Sequence, residues 1–202
     1  MVGKVEILER QRVHDGFIPV ERYRLRHALF SGGLSDVLVR ELYAHRRCVG
    51  VLPYDPQADR VVLVEQFRIG ALDTAPGPWL IEVIAGMMEP GETATGVAHR
   101  ESAEEANCTL QGLWPICDYI VSPGVSSEEV ALFCARTDAR DLGGIFGNEE
   151  EGEDIRVHVV DFDEAMGMVE SGVVRAAMPI IALQWLALNR ERVRDTWLGE
   201  QA

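Results

Sequence analysis

Three glutamates, Glu101, Glu104 and Glu105, stand at i, i+3 and i+4 in the stretch HRESAEEANC, so a helix there must carry them on one face. Like charges at that spacing repel. The segment therefore folds either as a solvated acidic face, the usual fate of a charge run, or around something positive. Its neighbours favour the second solution. Upstream, GMMEPGE is turn material that leads from an apolar strand ending at Gly86 into the helix, bringing Glu92 and the Ala85 carbonyl near its first turns. Thr93 is placed to cap that helix, and Asn107 to end it in the left-handed conformation. Carboxylates with a main-chain carbonyl are the hard oxygen donors that Mg²⁺ or Mn²⁺ takes. Magnesium keeps several waters and favours phosphate oxygens beside them, which points to phosphate chemistry.

The bulk of the chain sets limits on partners. A formal net charge of −14 repels nucleic-acid backbones and anionic membranes, so any anionic ligand needs local cations. Cys48, Cys108, Cys117 and Cys134 form no CxxC pair, which excludes a zinc knuckle and leaves them as reduced thiols of a cytoplasmic protein. No apolar run reaches membrane-spanning length, and MVGKVEILERQR becomes charged too early for a secretory signal. At 202 residues and 47% hydrophobic composition, one good core with a small added layer is the expectation.

That layer is at the N-terminus. VEILERQRVH, ERYRLRHALF and SDVLVRELY alternate apolar and charged residues between glycine turns, predicting a three-stranded antiparallel meander. One solvated sheet of this size is barely stable by itself. From Arg47 onward the runs are more apolar. CVGVLPY and RVVLVEQF form a hairpin of buried strands, WLIEVIAGM one further strand, and GLWPICDYIVS, EVALFCART and IRVHVVD three more. LGGIFGNEEEGED reads as an acidic loop, and FDEAMGMVESG and AAMPIIALQWLALNRERV as helices. This order predicts an α+β fold, a meander over 1–45 followed by an α/β/α sandwich with a mixed sheet over 46–202, not a regular βαβ alternation.

Residues 86–108, GMMEPGETATGVAHRESAEEANC, resemble the Nudix box: Gly86, five residues, Glu92, seven residues, Arg100-Glu101, then Glu104-Glu105. Ser102 stands where the pattern has a bulky apolar residue, and Asn107 where it has glycine. Neither change touches a carboxylate. The likeness extends through EQFRIGALDT, PWLIEVIAGMMEPGE, SPGVSSE, GEDIRVHVV and IIALQWL, with Pro123 fifteen positions after Cys108, and is similar to the dimeric ADP-ribose pyrophosphatases of the Nudix hydrolase family. The resemblance implies Mg²⁺-dependent hydrolysis (Mn²⁺ as a substitute) of a nucleoside diphosphate sugar, ADP-ribose giving AMP and ribose 5-phosphate. It also implies a homodimer that exchanges the meander.

By the same resemblance, Glu101, Glu105, Glu104, Glu153 and the Ala85 carbonyl would hold metal, Arg100 would orient the carboxylates and Glu92 brace the loop. Glu151 would deprotonate the attacking water, with Glu149 and Glu150 close by in sequence. Arg68 would clamp the diphosphate, as a guanidinium can do bidentately; its bland alternative is a surface pair with Glu65. Phe17 would stack the base, with Arg40 and Glu41 nearby, and Met87, Ser122, Gly124 and Glu128 would complete the substrate contacts. His45 or Arg46 would supply a further cation. A pyrophosphatase for another nucleotide sugar such as GDP-mannose is the runner-up, and a non-cutting nucleotide-binding module the third reading. Against the third, a sensor gains nothing from a costly carboxylate cluster.

Overall fold

The computed structural model describes residues 3–44, 46–148 and 152–199. It divides into two compact units, Met1–Arg47 with Tyr119–Val130, and Cys48–Asp118 with Ala131–Ala202.

The first unit is the expected meander, β1 (Val5–Asp15), β2 (Pro19–His27) and β3 (Leu38–Tyr43), paired in that order and antiparallel throughout. Strands and charges are matched across it: Glu21 accepts from Arg10 at 2.8 Å and from the Tyr23 hydroxyl at 2.7 Å, and Glu41 accepts from Arg22 at 2.7 Å. Tyr43 joins the segment 119–130 through its N–H to the Val125 carbonyl and its carbonyl to the Ser127 N–H. No apolar residue of 3–44 is buried. The alternation makes the strands without supplying a core.

The second unit holds the core. β4 (Cys48–Asp55) and β5 (Arg60–Phe67) form the predicted hairpin at Tyr54↔Val61 and Asp55↔Arg60. Between them the single strand expected over WLIEVIAGM is two, β6 (Trp79–Glu82) on β5 and β7 (Ile84–Met87) on β4. The break falls at Val83, 1% exposed. It lets one apolar run, which local periodicity cannot divide, satisfy two neighbours in turn. β8 (Gly112–Ile120), β9 (Glu129–Arg136), β10 (Gly144–Phe146) and β11 (Ile155–Asp161) complete a sheet in the order β10-β11-β5-β4-β9-β8. The short β10 corrects the reading of 142–154 as loop throughout, because Gly144–Phe146 pairs with Ile155–Val157.

Helices cover both faces, as expected. α1 (Ala94–Ala106) lays Val97, Ala98 and Ala106 against Val49, Val51, Val62, Val64, Ile84, Ile155 and Val157. α2 (Phe162–Glu170) and α3 (Ala177–Gly199) follow, α3 burying Ala182, Leu183, Leu186, Val193 and Trp197 along one stripe. Trp197 meets the Tyr54 ring at a tilt and the Trp114 ring edge to face, with ring centroids 6.5 and 6.2 Å away. No helix among the described residues is long and apolar enough to cross a membrane.

The β4–β5 turn is held by one buried carboxylate. Asp55 Oδ1 accepts from the N–H groups of Gln57 and Ala58 at 2.9 and 3.0 Å, and Oδ2 from Ala139 at 3.0 Å. Asp55→Ala orphans three N–H donors, so equilibrium urea unfolding should show a loss of about 2–4 kcal/mol; a loss under about 0.5 kcal/mol would mean that other groups hold the turn.

Candidate functional site

α1 begins and ends as its sequence demands. Thr93 Oγ1 accepts from the Gly96 N–H at 3.1 Å, and Asn107, at φ 47° and ψ 36°, closes the helix with its N–H on the Ala103 carbonyl. Within those limits Ala98, Ser102, Glu105 and Ala106 turn inward, while Glu104 stays exposed. Glu101 lies between, against β7: a Cβ on Gly86 would sit 1.6 Å from Glu101 Oε1. Only glycine admits the carboxylate so close to the strand.

Arg100 gathers this region. Its Nε donates to Glu92 Oε1 at 3.0 Å, Nη1 to Glu101 Oε1 at 2.7 Å and Glu104 Oε2 at 3.1 Å, and Nη2 to the Met87 carbonyl at 3.3 Å. Glu92 Oε2 also accepts from the Glu89 N–H at 2.7 Å, which ties the turn to the helix. The Arg100 bond holds the Glu92 carboxyl below the usual range. The planar fork suits this work, since it reaches several oxygens from one fixed side chain.

Glu105 is 3% exposed, and its Oε2 accepts from the Ala85 N–H at 3.2 Å. Burial pushes its carboxyl up to about 8 against the Ala85 N–H bond; Glu101 and Glu153 push it up as well, and Arg68 more weakly opposes them. Glu101 is raised too, first by burial and then, against the pull of Arg100, by Glu104 and Glu153. Glu153 thus shares the field of the box carboxylates although it lies outside the helix. Its loop is closed by paired bonds: the Glu153 N–H donates to the Asn148 carbonyl and the Asn148 N–H to Glu153 Oε2, each at 3.1 Å.

Among the described residues, no three His, Cys, Asp or Glu side chains are gathered as a ready metal cage. Arg100 draws Glu101 and Glu104 to itself, and the Ala85 N–H draws Glu105. The donor chemistry nonetheless fits a divalent cation: hard carboxylate oxygens, partly desolvated and mutually repelling, lie beside a strand backbone.

Arg68 continues the strand alternation of β5 in extended conformation. It pairs not with Glu65 but with Glu82, Nε to Oε2 at 2.7 Å. Glu65 is taken by Arg156 at 3.3 Å and His158 at 3.0 Å, since Glu65 and Arg68 fall on opposite faces of the strand. Glu82 and Gln66 were missed by sequence reasoning. The Glu82 pairing depends on antiparallel register across β5 and β6, which no motif in either strand encodes. Gln66 is 5% exposed with its Nε2 unpartnered.

Of the other expected contacts, all but Met87 lie in the first unit. Phe17 is 93% exposed, Arg40 bonds through Nη1 to the Val39 carbonyl, and Glu41 pairs with Arg22. The Ser122 carbonyl accepts from the N–H groups of Val125 and Ser126 in the turn through Gly124, and the Glu128 N–H donates to Ser126 Oγ at 3.0 Å. Met87 presents its carbonyl to Arg100 and a half-exposed side chain. His45, Glu149, Glu150 and the expected base Glu151 lie outside the described residues.

The chain is similar to known proteins over most of its length. The family model described as the NUDIX domain matches residues 44–181. The chain is 42% identical over 193 residues to the ADP-ribose pyrophosphatase of Escherichia coli K12, covering 96% of this chain and 92% of that protein. It is 32% identical over 155 residues to the GDP-mannose pyrophosphatase of Cronobacter sakazakii, covering 74% of this chain and 78% of that one. Its fold is shared with a solved structure titled "Crystal structure of ADP compounds hydrolase", at 19% identity and a TM-score of 0.71 over 96% of this chain and 98% of the other.

Ser102 offers a test of α1 packing. Its Oγ is buried without a hydrogen-bond partner, and serine is also a poorer helix former than alanine. Ser102→Ala should therefore raise the free energy of unfolding in urea by about 1 kcal/mol. A decrease would show that the hydroxyl has a stabilising partner.

Proposed function

The chain belongs to the NUDIX domain family, and from that premise we propose that it hydrolyses the diphosphate of ADP-ribose to AMP and ribose 5-phosphate. The near full-length likeness to an ADP-ribose pyrophosphatase carries the reading. The shared field of Glu101, Glu105 and Glu153 beside Arg68 supports it.

We assign Mg²⁺, with Mn²⁺ as a substitute, to Glu101, Glu105, Glu153, the Ala85 carbonyl and Glu104. A bound divalent cation would neutralise charge on the diphosphate as it is cleaved. Arg100 restrains Glu101 and Glu104 in the approach to that site. Arg68 takes the phosphate oxygens and offsets the field of a strongly acidic chain. Water attacks one phosphorus, its oxygen forms the new P–O bond, the bridging P–O bond breaks, and Glu151 takes the proton.

We also propose a homodimer. The meander exposes Val5, Ile7, Val39, Phe17 and Phe30 at 53% or more, and a small sheet with no apolar residue buried is a poor independent structure. A second copy would cover these side chains, and Phe17, Arg40, Glu41, Met87, Ser122, Gly124 and Glu128 are taken as substrate contacts in that assembly. None of the four cysteines is in a disulfide, as a cytoplasmic location would keep them.

A substrate panel of ADP-ribose, ADP-glucose and GDP-mannose with Mg²⁺, read by product identification, tests the assignment. ADP-ribose should give the highest kcat/KM, and Glu101→Gln should lower kcat on the order of 100-fold or more. Preference for GDP-mannose would overturn the substrate, and full activity in Glu101→Gln the metal role.

The buried Glu105 carboxyl also predicts a pH effect. Its folded pKa of about 8 lies above the ordinary carboxyl value of 4.5, so its contribution to stability is complete below the unfolded value and is lost as pH rises through the folded one. Metal-free protein should therefore lose thermal stability between about pH 5 and pH 8, and Mg²⁺ should restore more of it at the upper end, where the ligand is ionised. A melting temperature flat across that window, with and without EDTA, would contradict the burial of Glu105.

A further inference from the structure

We propose that Glu82 is the positioning residue for Arg68, presenting its guanidinium to the substrate diphosphate; the inference rests on the reading of Arg68 as the phosphate clamp.

Three features of the β5–β6 pair carry it. Val64 is opposite Glu82 and Gln66 opposite Leu80, and the Arg68 N–H donates to the Pro78 carbonyl at 2.8 Å. Side chains alternate along a strand, so Glu82 and Arg68 fall on one face, the face on which Val64 packs against α1. Glu82 holds Arg68 side-on. The bond is to Nε, at 2.7 Å, and among the described residues Nη1 and Nη2 have no partner. The outer edge of the guanidinium, which can donate two parallel hydrogen bonds to a phosphate, is therefore left open. The two partners also differ in exposure, with the Glu82 side chain at 17% and that of Arg68 at 45%. The carboxylate stays low against the sheet while the cation reaches out.

The carboxylates nearby supply the reason for such a holder. Arg68 is close enough to Glu105 for its charge to be felt there. An unrestrained guanidinium would be drawn into the acidic cluster and neutralise the groups assigned to the cation. Gln66 does not compete for the job, because its Nε2 is buried without a partner and so makes no bond to the Glu82 carboxylate.

The test is steady-state kinetics on ADP-ribose with Mg²⁺ for full-length Glu82→Ala, Glu82→Gln, Arg68→Ala and the Arg68→Ala/Glu82→Ala double variant, with thermal melts of each. Glu82→Ala should raise KM about 10-fold or more, the scale of one charge-assisted hydrogen bond, while kcat changes less than about threefold. Glu82→Gln keeps a neutral acceptor for Nε and should fall between parent and Glu82→Ala. The double variant should match Arg68→Ala, because Glu82 acts only through that side chain. A parental KM in Glu82→Ala, or losses that add in the double variant, would overturn the positioning role. An unchanged KM in Arg68→Ala would overturn the clamp reading beneath it. If Glu82→Ala does not fold, Glu82→Gln decides: a raised KM supports the role and a parental one removes it.

Discussion

The organising constraint in this molecule is the concentration of negative charge on one turn of α1 within a chain of net charge −14. Arg100 answers it locally by bonding to Glu92, Glu101 and Glu104 at once. Glu105 is beyond that reach and is held by a backbone N–H in an environment that raises its pKa to about 8. The cluster is therefore costly as it stands, and a cation would relieve the cost. The close approach of Glu101 to Gly86, the bracing of the turn through Glu89 and Glu92, and the return of Glu153 toward the helix all serve the same small volume.

The sheet makes that volume by splitting one apolar run. β6 stays with β5 and keeps Glu82 on the face of Arg68, whereas β7 moves to β4 and carries Ala85 and Gly86 to the side of α1. Glu82, which bonds Arg68, and the Ala85–Gly86 backbone, which meets Glu105 and Glu101, thus lie on a single segment, and packing of Val64, Ile84 and Val97 in one core fixes their spacing. On the other face, α3 and its tryptophans stabilise the sheet without entering the site.

Legibility in the sequence followed the range of the interactions. The helix α1, its Thr93 cap and its left-handed end at Asn107 were readable because they depend on residues within four positions of one another. The meander was readable from strict alternation. The division of WLIEVIAGM into two strands and the short β10 were not, since each depends on which neighbour completes the backbone hydrogen bonds. For the same reason the bland alternative for Arg68, a pair with Glu65 three residues away in sequence, does not hold: Arg68 bonds Glu82, fourteen residues away but on the same face.

By itself the sequence determined the family, the carboxylate face and the element order, because these reside in residue types at fixed short spacings. Only the tertiary structure decided that Glu105 is buried and that Arg68 bonds Glu82 rather than Glu65. Burial and long-range charge coupling arise when separate strands pack together, and no local spacing encodes them.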